Sequence, residues 1–285
     1  MSLDDEVVSF LRETSEQAIK RLSTLSTMEY ELQREESAKQ LNCRVSALDK
    51  MVAEEQTHES NANDEAVKTD EPYHCTVDGN DLLDEISEII SRYMILPNGT
   101  LAPIVLWIAG TYVFDAFNVC PKLGVISPEK RCGKSTLLDI LGAFSCKSLI
   151  SSNITPSAIF RAVDLWQPTL IIDEADTFLA GRNDDLIGII NSGHTKRTAS
   201  VIRTVGEDYT PKKFSTWAPM AFASIKGLSG TVMDRSIVIQ LRRRTISETV
   251  TRTPVDFWED SELIRQKLVR WGVDNFNDLK ANHIE

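Results

Sequence analysis

Gly133-Lys134-Ser135-Thr136 sets a flexible residue, a cation and two hydroxyls in consecutive positions, the set that a polyphosphate and its metal ion require. At the start of a helix, backbone N–H groups face an anion, an ammonium neutralises the β and γ phosphates, and a hydroxyl completes the shell of Mg²⁺. This assigns Lys134 to the phosphates and Ser135 to the metal. The residues leading in, Ser127-Pro128-Glu129-Lys130-Arg131-Cys132, keep the length of the GxxxxGK[ST] loop but place Pro128 where its first glycine belongs. Proline fixes φ and has no N–H to donate, so the expected cradle has an altered entry. The whole stretch from Ser127 to Thr136 is therefore a nucleotide-binding candidate, with Cys132 read as a small neutral residue within it.

A second group lies 39 positions after Lys134, in Leu170-Ile171-Ile172-Asp173-Glu174-Ala175-Asp176. An apolar run ending in two acids describes a buried parallel strand that delivers carboxylates at its C-terminal edge, where ligands bind in open α/β sheets. Asp173 is expected to position Mg²⁺ through its water shell, and Glu174 to orient and polarise the attacking water. A glutamate there favours hydrolysis over transfer to a small acceptor. Taken singly, each motif is cheap: a GKS triplet recurs by chance, and Asp-Glu after a strand is often a solvated edge. Both in order, with a strand and helix between them, point to ATP and Mg²⁺ as ligands.

The elements that must hold these groups can be read from periodicity. Strands are expected at 123–127, 148–152, 169–173, 199–205, 219–225 and 236–241, and helices at 82–93, 102–118, 135–144, 156–163 and 184–191. Such alternation implies an α/β fold with a mainly parallel sheet covered by helices on both faces. Ahead of it, Leu3, Val7, Leu11, Ala18, Leu22 and Leu25 line one helical face, and Leu32, Ala38, Leu41, Val45, Leu48 and Val52 another. Asn42-Cys43-Arg44 with Ser46 as N-cap makes the second stretch a helix-turn-helix; the 38, 41, 45, 48, 52 spacing fits one continuous heptad helix equally well. Residues 56–81 are acidic and poor in apolar side chains, the composition of a linker. The expected organisation is an N-terminal helical segment (1–55), a linker (56–81), a core (82–245) and a C-terminal helical lid (246–285).

The 285 residues carry a net charge of −11, which argues against an anionic partner until its distribution is considered. Residues 1–100 hold 9 basic and 22 acidic groups, whereas residues 191–245 hold 10 basic and 3 acidic. One basic island thus sits in an acidic protein. Five scattered cysteines without CxxC spacing, and a start of Met-Ser-Leu-Asp-Asp-Glu, fit a cytoplasmic chain with reduced thiols. The longest apolar run, 101–114, is too short to cross a bilayer, so no membrane partner is expected. His74 and Cys75 have no second ligand pair at metal spacing and read as incidental.

With Leu106-Trp107 through Thr111-Tyr112, Ser127 through Lys134, Ile171-Ile172-Asp173-Glu174-Ala175-Asp176-Thr177-Phe178, Asn191-Ser192-Gly193-His194 and Asp234-Arg235-Ser236, the chain resembles a P-loop ATPase domain of unknown function found in phage, plasmid and prophage proteins. That family often accompanies primase or helicase modules and looks like a divergent AAA+ or superfamily 3 type ATPase. The resemblance covers about residues 82 to 280, implies a P-loop NTPase fold of AAA+-like type, and shares Pro128. The family usually continues beyond the position of Glu285, so an incomplete lid is expected.

Further roles follow from the resemblance. Ser224 is the polar group nearest the place where AAA+ proteins sense the γ-phosphate with an asparagine. Arg235, before an expected edge strand, would act as an arginine finger on a neighbour's γ-phosphate in a ring or filament of identical chains; Arg203 is the alternative, and a local salt bridge of Arg235 with Asp234 is the plainer one. Lys196, Arg197, Lys212 and Lys213 would contact the backbone of single- or double-stranded DNA from an inserted hairpin or loop; the plainer reading is a solvated basic face. The leading function is a Mg²⁺-dependent ATPase coupled to DNA translocation or remodelling in mobile-element replication. Two alternatives are an ATP-dependent switch in anti-phage defence or regulation, acting on a protein partner through residues 1–55, and a nucleotide-binding module with little turnover.

Overall fold

The computed structural model describes residues 15–23, 25, 27–53, 67, 69–129, 131–173, 184–206, 208–225 and 227–282. The chain forms two compact units, Met1–Ala66 and Val67–Glu285. In the first, helices α1 (Ser15–Ser23), α2 (Thr27–Gln40) and α3 (residues 45–53) enclose Leu22, Ala38, Leu48 and Val52. The turn at 41–44, with Asn42 at φ 51°, separates α2 from α3, so the continuous heptad helix does not form. Helix α3 begins one residue before Ser46, and Leu32 of the expected stripe is exposed. Tyr30 donates to Asp49 at 2.8 Å across the two helices; burial first, then this carboxylate, pushes its phenol up to about 12.

The second unit starts earlier than composition suggests. Asp70 pairs with Arg265 at 2.9 Å, both largely buried, and the Tyr73 amide donates to the Gln266 carbonyl. Asp70 and Tyr73 are therefore tied to residues 265 and 266, although Glu71, Pro72, His74, Cys75 and Thr76 between and after them are exposed. Helix α4 (Gly79–Tyr93) is capped by Asp78, whose carboxylate accepts from the Asn80 and Asp81 amides, and buries Leu82, Ile86 and Ile90 four residues apart on one face. Helix α5 (Leu101–Gly110) is apolar almost all round and mostly buried; it ends at Gly110, with a 3₁₀ turn at Phe114–Ala116 in place of the longer helix expected.

A five-stranded sheet, parallel throughout, has the order β2 (Ser148–Ser151), β3 (Thr169–Ile172), β6 (Met220–Ser224), β1 (Lys122–Ile126), β7 (Ser236–Gln240). Side chains alternate between its faces. Leu123, Val125, Ile171, Ala221, Ala223 and Ile239 pack with α4, α5, α6 (Lys134–Phe144) and α11 (Glu262–Ala281). Leu170, Ile172, Met220 and Phe222 face the other way, toward α7 (Pro156–Trp166), α8 (Asp184–Ser192) and α9 (Gly230–Met233). Short helix α10 (Phe257–Asp260) leads into α11, so the C-terminal residues close the same core rather than form a separate body.

The segment expected as a sheet strand at 199–205 lies outside the main sheet. Here β4 (Ser200–Val205) pairs with β5 (Thr210–Ser215) in an antiparallel hairpin, Ile202 opposite Lys213 and Arg203 opposite Lys212. Periodicity could not separate these cases, because a two-stranded ribbon with one buried face alternates as a sheet strand does.

Candidate functional site

At the edge where the strands end, β1, β6 and β3 bring three segments side by side. The Ser127 amide donates to the Ser224 carbonyl at 3.2 Å, and the Asp173 amide to the Ser151 carbonyl at 3.0 Å. Between β1 and α6, the 127–133 loop folds on itself: the Glu129 carbonyl accepts from Ser127 Oγ at 2.7 Å and from Cys132 Sγ at 3.3 Å. Arg131 (φ 65°) and Gly133 (φ 83°) are left-handed, the latter at no steric cost. A Cβ on Gly133 would sit 3.2 Å from Met94 Cε, so the end of α4 backs the loop closely. The N-cap of α6 is Gly133, which has no side chain to cap it, and no acid stands in the first turn of the helix.

Lys134 is half-buried and Ser135 exposed in that first turn. Asp139, one turn beyond Ser135, was missed by sequence reading. Its carboxyl is pushed up by desolvation first and then by the charge of the Asp173 carboxylate at the end of β3. The signal was available in the i, i+4 spacing from Ser135, but only the sheet order brings Asp173 to it. Among the described residues, no three of His, Cys, Asp and Glu gather as a metal cluster. A cavity of about 210 Å³ adjoins this loop, lined by Tyr93, Met94, Gly133, Thr136, Arg242 and Arg244. At its rim, Arg243 pairs with Glu129 at 2.8 Å, and Arg242 donates to Glu248, whose carboxyl is held down at about 2 by that bond.

Glu174 and Lys130 lie outside the described residues, as does Asp176. The Ser224 hydroxyl is fully buried and donates to the Gly227 carbonyl at 2.8 Å, forming part of the turn after β6. Arg235 stands at the opposite edge, where its carbonyl accepts from the Lys122 amide and its Nη1 donates to the Thr231 carbonyl at 2.8 Å. Five strand residues, roughly 16 Å of rise, separate that edge from the 127–133 loop. Arg203 is spent locally, paired with Asp185 and 5.4 Å from the Phe160 ring.

The basic candidates divide likewise. Lys196 Nζ pairs with Asp115 at 2.7 Å and lies 6.0 Å from the Trp217 ring, which makes it a tie between segments rather than an outward charge. Arg197 is exposed beside it, at the foot of the hairpin. Lys212 and Lys213 are exposed on β5, Lys212 4.9 Å from the Phe214 ring. Tyr209, 77% exposed at the turn of this basic hairpin, was also missed; an aromatic between Asp208 and Thr210 is a weak signal until the hairpin is known.

A cavity of about 550 Å³ lies at the edge where the strands begin and is lined by apolar groups including Leu106, Trp107, Phe114, Val119 and Ile237. Beside it Lys122 is fully buried, donating to the Gly193 and Ala218 carbonyls at 2.9 and 3.0 Å; burial lowers its ammonium to about 8. No described helix is long and apolar enough to cross a membrane.

No family model matches the chain, and neither does any curated protein. Among solved structures it is similar to the A form apo structure of the NrS-1 C-terminal region, with 11% identity and a TM-score of 0.41 over 77% of this chain and 54% of that one. The A form of the 305–718 piece of the same region gives 10% identity and a TM-score of 0.39 over 73% and 47%. The chain spans about half the length of these solved chains.

Proposed function

We propose that this protein is a Mg²⁺-dependent ATPase of AAA+ or superfamily 3 helicase-like type that couples ATP hydrolysis to translocation on, or remodelling of, DNA in the replication of a mobile element. The observation that carries this reading is the meeting of three features at one sheet edge: a strand-to-helix loop with Gly133 left-handed, a helix start bearing Lys134 and Ser135, and Asp173 at the end of β3. On this reading the loop is a P-loop, and its leading amides with Lys134 take the β and γ phosphates. Ser135 and Asp173 hold Mg²⁺, which also relieves the repulsion between Asp139 and Asp173. The adjoining cavity receives the base end of the nucleotide.

Glu174 directly follows Asp173 and takes the role of orienting the attacking water, while Arg235, a strand length from its own loop, serves a second copy of the chain. Lys212, Lys213 and Tyr209 give the hairpin cations for a phosphate backbone and a ring for an unpaired base, which favours a single strand.

The deciding experiment is ATP turnover with and without single-stranded DNA, together with mass by light scattering. DNA-stimulated turnover in an oligomer supports the motor; stimulation only by a protein partner, or binding without turnover, replaces it with a switch or a binding module. Glu174→Gln should retain ATP and Mg²⁺ while turnover falls by about 10² or more. Lys212→Ala with Lys213→Ala should reduce the salt slope of single-strand binding by about 1.4.

A further inference from the structure

Arg235 is presented by α9, a helix of only four residues that is too short to hold its own geometry. Val232 anchors one side of α9 in the core. The other side is tied to the end of α8, where Asn191 Nδ2 donates to Thr231 Oγ1 at 3.0 Å. The carbonyl of that same Thr231 accepts from Arg235 Nη1 at 2.8 Å. One residue thus links Asn191 to the guanidinium.

The end of α8 is itself immobilised. Ser192 Oγ bonds Thr216 Oγ1 at 2.9 Å, the Gly193 carbonyl receives the buried Lys122 ammonium, and the His194 carbonyl accepts from the Cys120 amide. Gly193 lies so close to the neighbouring chain that a Cβ there would come within 2.2 Å of the Thr216 carbonyl oxygen, so no other residue fits without moving the backbone. The Asn191-Ser192-Gly193-His194 run is therefore a rigid bracket, and Asn191 is its member that reaches α9. Among the described residues Asn191 Oδ1 is buried without a partner, while its Nδ2 donates to Thr231. A buried polar group held unmatched costs stability, which marks the Thr231 contact as the one the side chain is placed to make.

We propose that Asn191 is a positioning residue for Arg235: by fixing Thr231 it sets the direction in which the guanidinium is offered to the triphosphate of a neighbouring copy. The inference rests on the reading of Arg235 as a group acting on a neighbour's nucleotide. Loss of the tie leaves α9 held by Val232, by the Ser236 hydroxyl on the Val232 carbonyl and by the Lys122 amide on the Arg235 carbonyl, so that only the Thr231 side, which carries the acceptor of the guanidinium, is loosened. The guanidinium is then presented over a range of directions, which weakens charge stabilisation in the transition state more than it weakens nucleotide binding.

The test is steady-state ATP turnover by the full chain with Mg²⁺, alongside nucleotide affinity, light scattering and thermal melting. Thr231→Val, which keeps shape and removes the hydroxyl, and Asn191→Leu should each lower kcat about 5- to 20-fold with KM and mass unchanged, within the larger effect of removing the arginine itself. Thr231→Ser should stay within about twofold of the parent. On an Arg235→Ala background, Asn191→Leu should add less than about twofold, because the two act as a unit. Multiplying losses, a fall that appears in KM, or unchanged kcat in Thr231→Val overturns the positioning role. If Arg235→Ala lowers kcat but Asn191→Leu does not, the positioning role alone fails. Undiminished turnover in Arg235→Ala, or no turnover in the parent, removes the reading of the site and the positioning role with it.

Discussion

Two lysines twelve positions apart stand at opposite ends of the same strand-to-helix unit and do opposite work. Lys122 opens β1 with its ammonium sealed from water, saturated by two main-chain carbonyls and depressed to about 8. Lys134 opens α6 half-buried, next to a loop whose own polar groups are turned inward on Glu129. The edge where the strands begin is thus consolidated by burial around Lys122, Gly193 and Thr216. At the edge where they end, Ser135 and Asp139 are exposed, and the Asp139 carboxyl is raised by desolvation and then by the charge of Asp173. Residue type alone does not distinguish a buried structural cation from a half-buried one; partners and burial do.

The sharpest way to break this comparison is to remove each lysine. Lys134→Ala should lower ATP turnover by at least about 10² while the melting temperature stays within experimental scatter, measured by phosphate release and calorimetry. A stability loss comparable to that at Lys122 would make Lys134 structural as well. Lys122→Ala should instead cost about 3 kcal/mol in urea unfolding, because the Gly193 and Ala218 carbonyls lose their buried donor.

The pH dependence of stability refines the same contrast. Because the folded state lowers Lys122 from an ordinary 10.5 to about 8, it releases this proton before the unfolded chain does. The unfolded state then binds more protons between those values, so the contribution of Lys122 to stability rises with pH from about 8 to about 10.5. Lys122→Met should erase that rise, seen as parallel urea midpoints across the window; persistence of the slope would assign it elsewhere.

At the other edge the effect is smaller and of opposite kind. The raised Asp139 carboxyl lends stability below the ordinary carboxylate range that is lost as pH rises through its folded value. Asp139→Asn should therefore stabilise the metal-free protein at neutral pH by up to about 0.5 kcal/mol, and should raise the Mg²⁺ concentration for half-maximal turnover severalfold. Unchanged Mg²⁺ dependence would detach Asp139 from the metal site. The smallest change is expected at Arg243, whose exposed pair with Glu129 is worth less than about 0.5 kcal/mol to folding, so Arg243→Ala should leave the urea midpoint nearly in place.

Much of the edge where the strands end was legible in the residue order. A glycine, lysine and two hydroxyls in succession, and an apolar run ending in acids, are local chemistry, and the alternation of strand and helix follows from side-chain periods of two and 3.6. Helix α4 and the start of α6 are visible for the same reason. Asp70 was misread as linker because its partner, Arg265, is 195 positions away. The stretch 199–205 was placed in the main sheet, and Tyr209 passed over, because β4 and a sheet strand share one pattern.

By itself, then, the sequence determined that a glycine, a lysine and two hydroxyls stand in succession and that acids close an apolar run, that strands alternate with helices, and where positive charge concentrates. Tertiary structure alone decided that β6 lies between β1 and β3, that Lys122 is buried while Lys134 is accessible, that Lys196 and Arg203 are occupied locally, and that Arg235 stands a strand length from its own loop. The reason is physical: strand register and burial are set by groups far apart in the chain, as where Leu123 pairs with Ala221, and no local pattern encodes which distant surface will exclude water from a given side chain.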